Sequence, residues 1–262
     1  MEVPVYDLRG EVVGSIELPS VFSLEVRPDV IRRVYLSQLT ARIQPQGRDP
    51  LAGLRTSAES WGAGHGVARV PRVKGRGYPA AGRAARAVMA VGGAKTKAPR
   101  SWKVVWERVN EKERRMAIAS AIAATRVLDL VRARHRMPEG LKVPIVVVDE
   151  VESIGRTSEL YGLLLRLGLE EELDRCKRRF RKIRAGRGKM RGRVRQRARG
   201  PLIVYLNEGS PLKLASRNIP GVDAVSLRNL TVMHLAPGGV PGRLTIWSES
   251  SIRSLEEVRV LA

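Results

Sequence analysis

The chain has one cysteine, Cys176, so no internal disulfide can staple it. Its three histidines, His65, His135 and His234, lie in distant segments without paired spacing. No zinc site of the usual Cys/His kind is expected, and no histidine stands near Cys176 in sequence to serve as its base. No metal, cofactor or catalytic residue is expected. Aromatic residues make up only 4% of the chain although 43% is hydrophobic, so the apolar stock is mostly Val, Leu, Ile and Ala. That much apolar material argues against a wholly disordered polycation. No apolar run approaches the roughly 18 to 20 residues of a spanning helix, and Val143 to Val148 is of strand length and interrupted by Pro144. The opening Met1-Glu2-Val3-Pro4 lacks the basic start and apolar core of a signal peptide, giving a cytosolic protein without membrane partners as the expectation.

What the chain has in excess is positive charge, with 48 Lys and Arg against 26 Asp and Glu, a formal net charge of +22. Such a balance attracts polyanions. The charge is concentrated. Residues 44–100 hold 11 basic and 2 acidic residues with ten glycines, and residues 175–199 hold 14 basic residues and no acid. The other 180 positions carry 23 basic and 24 acidic residues, a formal charge of −1. The sequence therefore reads as a near-neutral globular body, residues 1–43 and 101–262, with a long loop at 44–100 and a basic insert at 175–199 within the body.

The body alternates strand and helix signals. Val3 and Val5, then Val12, Val13 and Ile16, flank Arg9-Gly10 as in a hairpin. Pro28 suits a first helical position, and Ile31, Tyr35, Leu39 and Ile43 recur every four residues, which predicts a helix from about Asp29 to Ile43. Asn110 with Glu113 resembles a capping pair, opening a buried helix through Ala117 to Ala124 that continues through Leu128 and Val131. Pro144 to Val148 suits a central parallel strand covered on both faces. Leu160 to Leu167 and Leu169 to Leu173 read as helical, Leu202 to Leu206 and Leu244 to Trp247 as strands, and Ser254 to Val260 as a short closing helix. The expected fold class is α/β, a layered, mostly parallel sheet with flanking helices. Residues 44–100 fit neither template, because their glycines leave no apolar stripe to bury. Used as a hairpin, they reach at most about 90 Å.

Gly62-Ala63-Gly64-His65-Gly66 lacks the preceding strand and following helix of a nucleotide fingerprint, and its glycines better serve close approach of backbone to phosphate. Asp149-Glu150 follows a strand at the edge where α/β sheets bind ligands, yet no G-x-x-x-x-G-K-[ST] accompanies it. An enzyme acting on RNA there, an ATPase or a modifying transferase, is an alternative function; a general DNA-compacting protein is another. The basic insert has no compensating acid and is interleaved with Phe180, Ile183, Met190 and Val194, so phosphates are its expected counter-charge. Its candidate nucleic-acid contacts are Arg178, Arg179, Arg181, Lys182, Arg184, Arg187, Lys189, Arg191, Arg193, Arg195, Arg197 and Arg199. In the loop they are Arg48, Arg55, Trp61, His65, Arg69, Arg72, Lys74, Arg76, Arg83, Arg86, Lys95, Lys97 and Arg100. Trp61, Tyr78, Trp102 and Trp106 offer stacking surfaces for unpaired bases, with Trp102 and Trp106 equally placed to be core residues at the loop's root.

Ordered strings covering nearly the whole chain carry a resemblance. Thr56 to Gly62, Val67 to Val73, Ala98 to Trp102, Ile183 to Gly192, Gly200 to Tyr205, Arg217 to Val222, Leu235 to Gly239 and Ile246 to Glu249 resemble large-subunit ribosomal proteins of the L-four family in its archaeal and eukaryotic form. The resemblance implies an α/β body on the outer surface of the large subunit. It also implies a loop that penetrates the rRNA and lines the peptide exit tunnel beside a second tunnel protein. Ser60, Trp61, Gly62, Gly64 and His65 would then lie near the loop tip, with Arg69, Arg72, Lys74 and Arg76 clamping rRNA along it. The family commonly has Arg after its Gly-x-Gly, where this chain has His65 and so lacks a permanent cation. Free of rRNA, the loop is expected to be mobile beside a folded body.

Overall fold

The computed structural model describes residues 2–255. Two compact units emerge, one made of the residues up to Leu39 with those from Glu107 onward, the other of Thr40–Trp106.

The first unit is built on a six-stranded sheet. In chain order its strands are β1 Glu2–Tyr6, β2 Val12–Glu17, β3 Ile145–Val147, β4 Leu202–Tyr205, β5 Asp223–Ser226 and β6 Thr245–Ser248. Their spatial order is β2-β1-β3-β6-β4-β5, with β1 and β2 antiparallel and every other pairing parallel. The helices are α1 Pro28–Thr40, α2 Glu111–Ala124, α3 Leu128–Arg132, α4 Thr157–Arg166, α5 Glu170–Arg181, α6 Leu212–Ser216, α7 Val232–Leu235 and α8 Glu249–Arg253.

Strand periodicity divides the core in two. Val3, Val5, Val146, Leu202, Val204 and Trp247 pack with Ile31 and Val34 of α1, Ala117 and Ile122 of α2, and Ile252 of α8. Their strand neighbours Ile145, Val147, Ile203, Tyr205 and Ile246 point the opposite way, onto Leu160 and Leu164 of α4, Leu173 of α5 and Leu212 of α6. Both faces of the central strands are thus covered by helices, which is why β3 and β4 are apolar throughout. At about 25 cal/mol per Å² of apolar surface removed from water, these two clusters dominate the stability of the unit.

Four expectations about helices need correction. The first helix ends at Thr40 and not Ile43, which stays exposed; burial follows Ile31, Val34 and Ser37. Asn110 precedes α2 with extended backbone but makes no side-chain capping bond. The Ala-rich helix does not run on through Leu128. The amides of Thr125, Arg126 and Val127 bond to carbonyls three residues back, the Thr125 hydroxyl donates to Ile122 O, and Val127 is extended before α3 begins. Residues 254 and 255 form a turn after α8, the last helix among the described residues, and the remainder of the expected Ser254 to Val260 helix lies outside them. Strand β5, Asp-Ala-Val-Ser, carries too little apolar signal for its sequence to announce it.

Residues 41–106 contain no helix or multi-residue strand. Backbone bonds close them into nested turns instead of one plain hairpin. Arg48 N–H donates to Pro99 O, Glu59 and Arg72 exchange two bonds, and Ala85 N–H reaches Pro71 O while Gly82 N–H and Val73 O pair. Gly53 passes so close to Gly93 that a Cβ would lie 2.4 Å from its carbonyl oxygen, with φ +81°. Only glycine fits there.

A candidate nucleic-acid interface

The cations of residues 44–100 stand mostly in solvent. Arg55, Arg69, Lys74, Arg76, Arg83, Arg86, Lys95, Lys97 and Arg100 are exposed, while Arg48 and Arg72 are half-buried. Arg72 is drawn inward because its guanidinium donates to Gly82 O at 3.0 Å and stacks 5.4 Å from the Trp61 ring centroid. His65 meets the same indole edge-on at 6.0 Å. Ser60 Oγ donates to Arg69 O at 3.1 Å and accepts from Gly62 N–H. Gly62, Gly64 and Gly66 all have positive φ, so the turn bearing Trp61 and His65 needs its glycines. Glu59 is the local exception in sign. The hydrogen bond from Lys74 Nζ at 2.5 Å holds its carboxyl below the usual range.

Trp102 and Trp106 are not core residues. They are 67% and 49% exposed and line, with Ile43, Pro45 and Val104, an open cleft of about 510 Å³. The Arg100 guanidinium lies 5.2 Å from the Trp102 ring centroid. Exposed indoles flanked by guanidinium groups offer base stacking and phosphate neutralisation together.

The basic window 175–199 begins on a helix. Residues 175–181 are the end of α5, and only residues 182–199 leave it. Ile183 and Arg195 form an antiparallel bridge, Arg184 N–H donates to Val194 O at 2.8 Å, and the Arg184 guanidinium reaches the carbonyls of Arg193 and Arg195. The result is a small hairpin whose turn carries Arg187, Lys189 and Arg191 in solvent. Arg178, Arg179, Arg181, Lys182, Arg193, Arg195, Arg197 and Arg199 are exposed too, with Arg184 half-buried. Ile183, Met190 and Val194, which the sequence interleaves with them, are 61%, 78% and 43% exposed and join no core.

Residues missed at the sequence level fix the root of this hairpin. Glu172 is fully buried on α5 and binds Arg175 through two bonds, of 2.8 and 2.6 Å. His135 Nδ1 lies 2.6 Å from Glu172 Oε1, and Arg136 N–H donates to Oε2. Arg175 then donates to Arg199 O at 2.8 Å. Arg243, 1% exposed, donates to Gly200 O at 2.9 Å, to His234 O at 2.8 Å and to Asp223 Oδ2 at 2.6 Å; Asp223 also receives Arg199. Two guanidinium groups from separate segments, Arg175 half-buried and Arg243 buried, therefore hold consecutive carbonyls where the hairpin re-enters the sheet at β4. The i, i+3 spacing of Glu172 and Arg175 is a readable helical signal; nothing local marks Arg243 or Asp223.

Charge states follow from burial. Burial pushes His135 down, its bond to Glu172 opposing only in part, so the ring is neutral. Its Nε2 is buried without a partner among the described residues, which a second proton would leave unsatisfied. Burial raises Glu172, but the bonds from Arg175 and His135 outweigh it and hold the carboxyl below its ordinary value. Cys176 is buried beside them, its thiol pushed up to about 11 by burial, and it packs on the glycines 200 and 221. At neutral pH it is a packing group, not a nucleophile.

The acids after β3 are engaged structurally. Asp149 accepts from Ser250 N–H, and Glu152 accepts from the amides of Leu206 and Asn207 and from Ser248 Oγ. They tie the carboxyl ends of β3, β4 and β6 together.

With this geometry in place, comparison with known proteins is specific. The model of the "Ribosomal protein L4/L1 family" matches residues 16–258. A large ribosomal subunit protein uL4 of Methanopyrus kandleri is 51% identical over 258 residues, covering 98% of this chain and 98% of that protein. Proteins of the same name from Methanocaldococcus jannaschii and Sulfolobus acidocaldarius are each 48% identical, covering 98% of this chain and 99% and 94% of their own lengths.

Proposed function

The chain belongs to the ribosomal protein L4/L1 family, and from that premise we propose that it is a structural, non-catalytic constituent of the large ribosomal subunit. Its two cationic segments bind rRNA and support subunit assembly, and the turn holding Ser60, Trp61, Gly62, Gly64 and His65 lines part of the peptide exit tunnel. Neighbouring large-subunit proteins, including a second tunnel-lining protein, are its other partners.

One observation carries this reading. On residues 44–100 and 182–199, cations and large apolar or aromatic side chains are exposed together on segments with almost no regular structure, while the sheet unit is fully cored. Such segments lack an internal reason to hold one conformation; phosphates that neutralise the cations and bases that cover the indoles supply it. Arg and Lys thereby offset repulsion between rRNA helices brought close, and the glycines allow the backbone near the phosphates.

Two measurements test the reading. The protein should co-sediment with the large subunit, and finding it mainly free would overturn the reading. A photo-crosslinker replacing His65 should capture a stalled nascent chain; adducts to rRNA alone would remove the tunnel role and leave the rRNA-binding role.

A further inference from the structure

Strand β2 is one margin of the sheet. It pairs with β1 on one side, and among the described residues no strand pairs with its other side. Five of its six residues are exposed, with Val12 and Val13 at 62% and 69%. Pro4, which has no N–H, stands opposite Ser15. That pair cannot exchange two ladder bonds, so the backbone N–H and C=O of Ser15 face outward. Edge strands are usually blunted by Lys or Pro, and β2 contains neither.

The charge here runs against the rest of the molecule. Residues 10–26 contain no Lys or Arg in a chain of 48 such residues, and they carry Glu11, Glu17 and Glu25. Residues 2–17 have a formal charge of −3, the one cation among them being Arg9; Arg166 reaches in from α4 to the carbonyl of Leu8 at the turn. This edge repels phosphate. A second copy is disfavoured as well, because antiparallel pairing of two β2 strands about Gly14 sets Glu11 directly opposite Glu17 twice, and like charges opposed across strands are destabilising.

We propose that β2 is a docking edge for an extended basic polypeptide segment, Lys or Arg alternating with smaller residues, which adds to the sheet as a seventh strand. Backbone bonds at Ser15 supply affinity, the exposed valines supply cover, and Glu11 and Glu17 select a cationic strand. Only the identity of the assembly that provides the segment rests on the large-subunit reading.

The surface is tested on the free full-length protein with a short peptide alternating lysine and threonine. It should bind and slow exchange of the Ser15 amide, and a glutamate–threonine peptide should not. Ser15→Pro removes the outward N–H without breaking a β1–β2 bond, and should weaken binding at least about tenfold, or 1.4 kcal/mol; Glu11→Lys should weaken it as well. Absence of binding, or binding indifferent to charge and to Ser15→Pro, overturns the proposal whether or not the protein enters ribosomes. In assembled large subunits, a photo-crosslinker at Val13 should capture a Lys/Arg-rich protein segment. Adducts to rRNA or to a second copy overturn the proposal.

Discussion

His135 and Glu172 make stability depend on pH in one direction. Both groups have folded-state values below their ordinary ones, so the unfolded chain takes up protons first as pH falls. Stability should be level above the ordinary histidine value of about 6.5 and decline as pH drops from there through the depressed folded value, with Glu172 adding its loss in more acid solution. Urea titrations between neutral and mildly acid pH check this, and His135→Gln should flatten the upper part of the slope. Arg243 is a second case. Arg243→Met removes the buried partner of Asp223 and leaves the carbonyls of Gly200 and His234 without it. Breaking a buried pair costs about 3 to 5 kcal/mol. The lower end applies, since Asp223 keeps Arg199, and chemical denaturation should read a loss of about 3 kcal/mol.

At the scale of elements, order should follow core. Strands β3, β4 and β6 are buried on both faces, while residues 44–100 bury almost nothing apolar beyond Ala58. Amide hydrogen exchange on the protein free of rRNA should show strong protection in those strands and rapid exchange across 44–100, apart from a few turn amides such as those of Glu59 and Arg72. Uniform protection of the loop would contradict its ordering on rRNA. The strand signals at 145–147, 202–205 and 245–248 were legible because β-branched, doubly apolar runs have few other uses. The start of α1 at Pro28 was legible for the same kind of local reason. Its end was not, because Ile43 satisfies helical spacing yet lies past the helix and stays exposed. Strand β5 was not legible because its place is decided by pairing with β4.

For the whole molecule, the charge partition has a measurable consequence. Residues 183–195 carry six cations, Arg184, Arg187, Lys189, Arg191, Arg193 and Arg195, and a clamp at Arg199 and Gly200 holds the base of their hairpin. Replacing all six by Gln should leave thermal unfolding of the body nearly unchanged. It should also flatten the dependence of log affinity for rRNA on log salt by about 0.7 to 0.9 per lost phosphate contact. An unchanged slope would mean that this hairpin does not face phosphate. Opposite in sign, the β2 margin gives the body a polarity that its near-zero net charge conceals.

The sequence by itself determined the α/β class, the approximate strands and where the charge lies, because periodicity and composition are local properties. It also carried the family strings. Only the tertiary structure decided that Trp102 and Trp106 are exposed, that residues 175–181 belong to a helix, and that Glu172, Asp223 and Arg243 hold the hairpin's root. Those outcomes depend on groups up to 71 positions apart in the chain, such as Glu172 and Arg243, whose burial and pairing exist only once the sheet has brought α5, β5 and the start of β6 together.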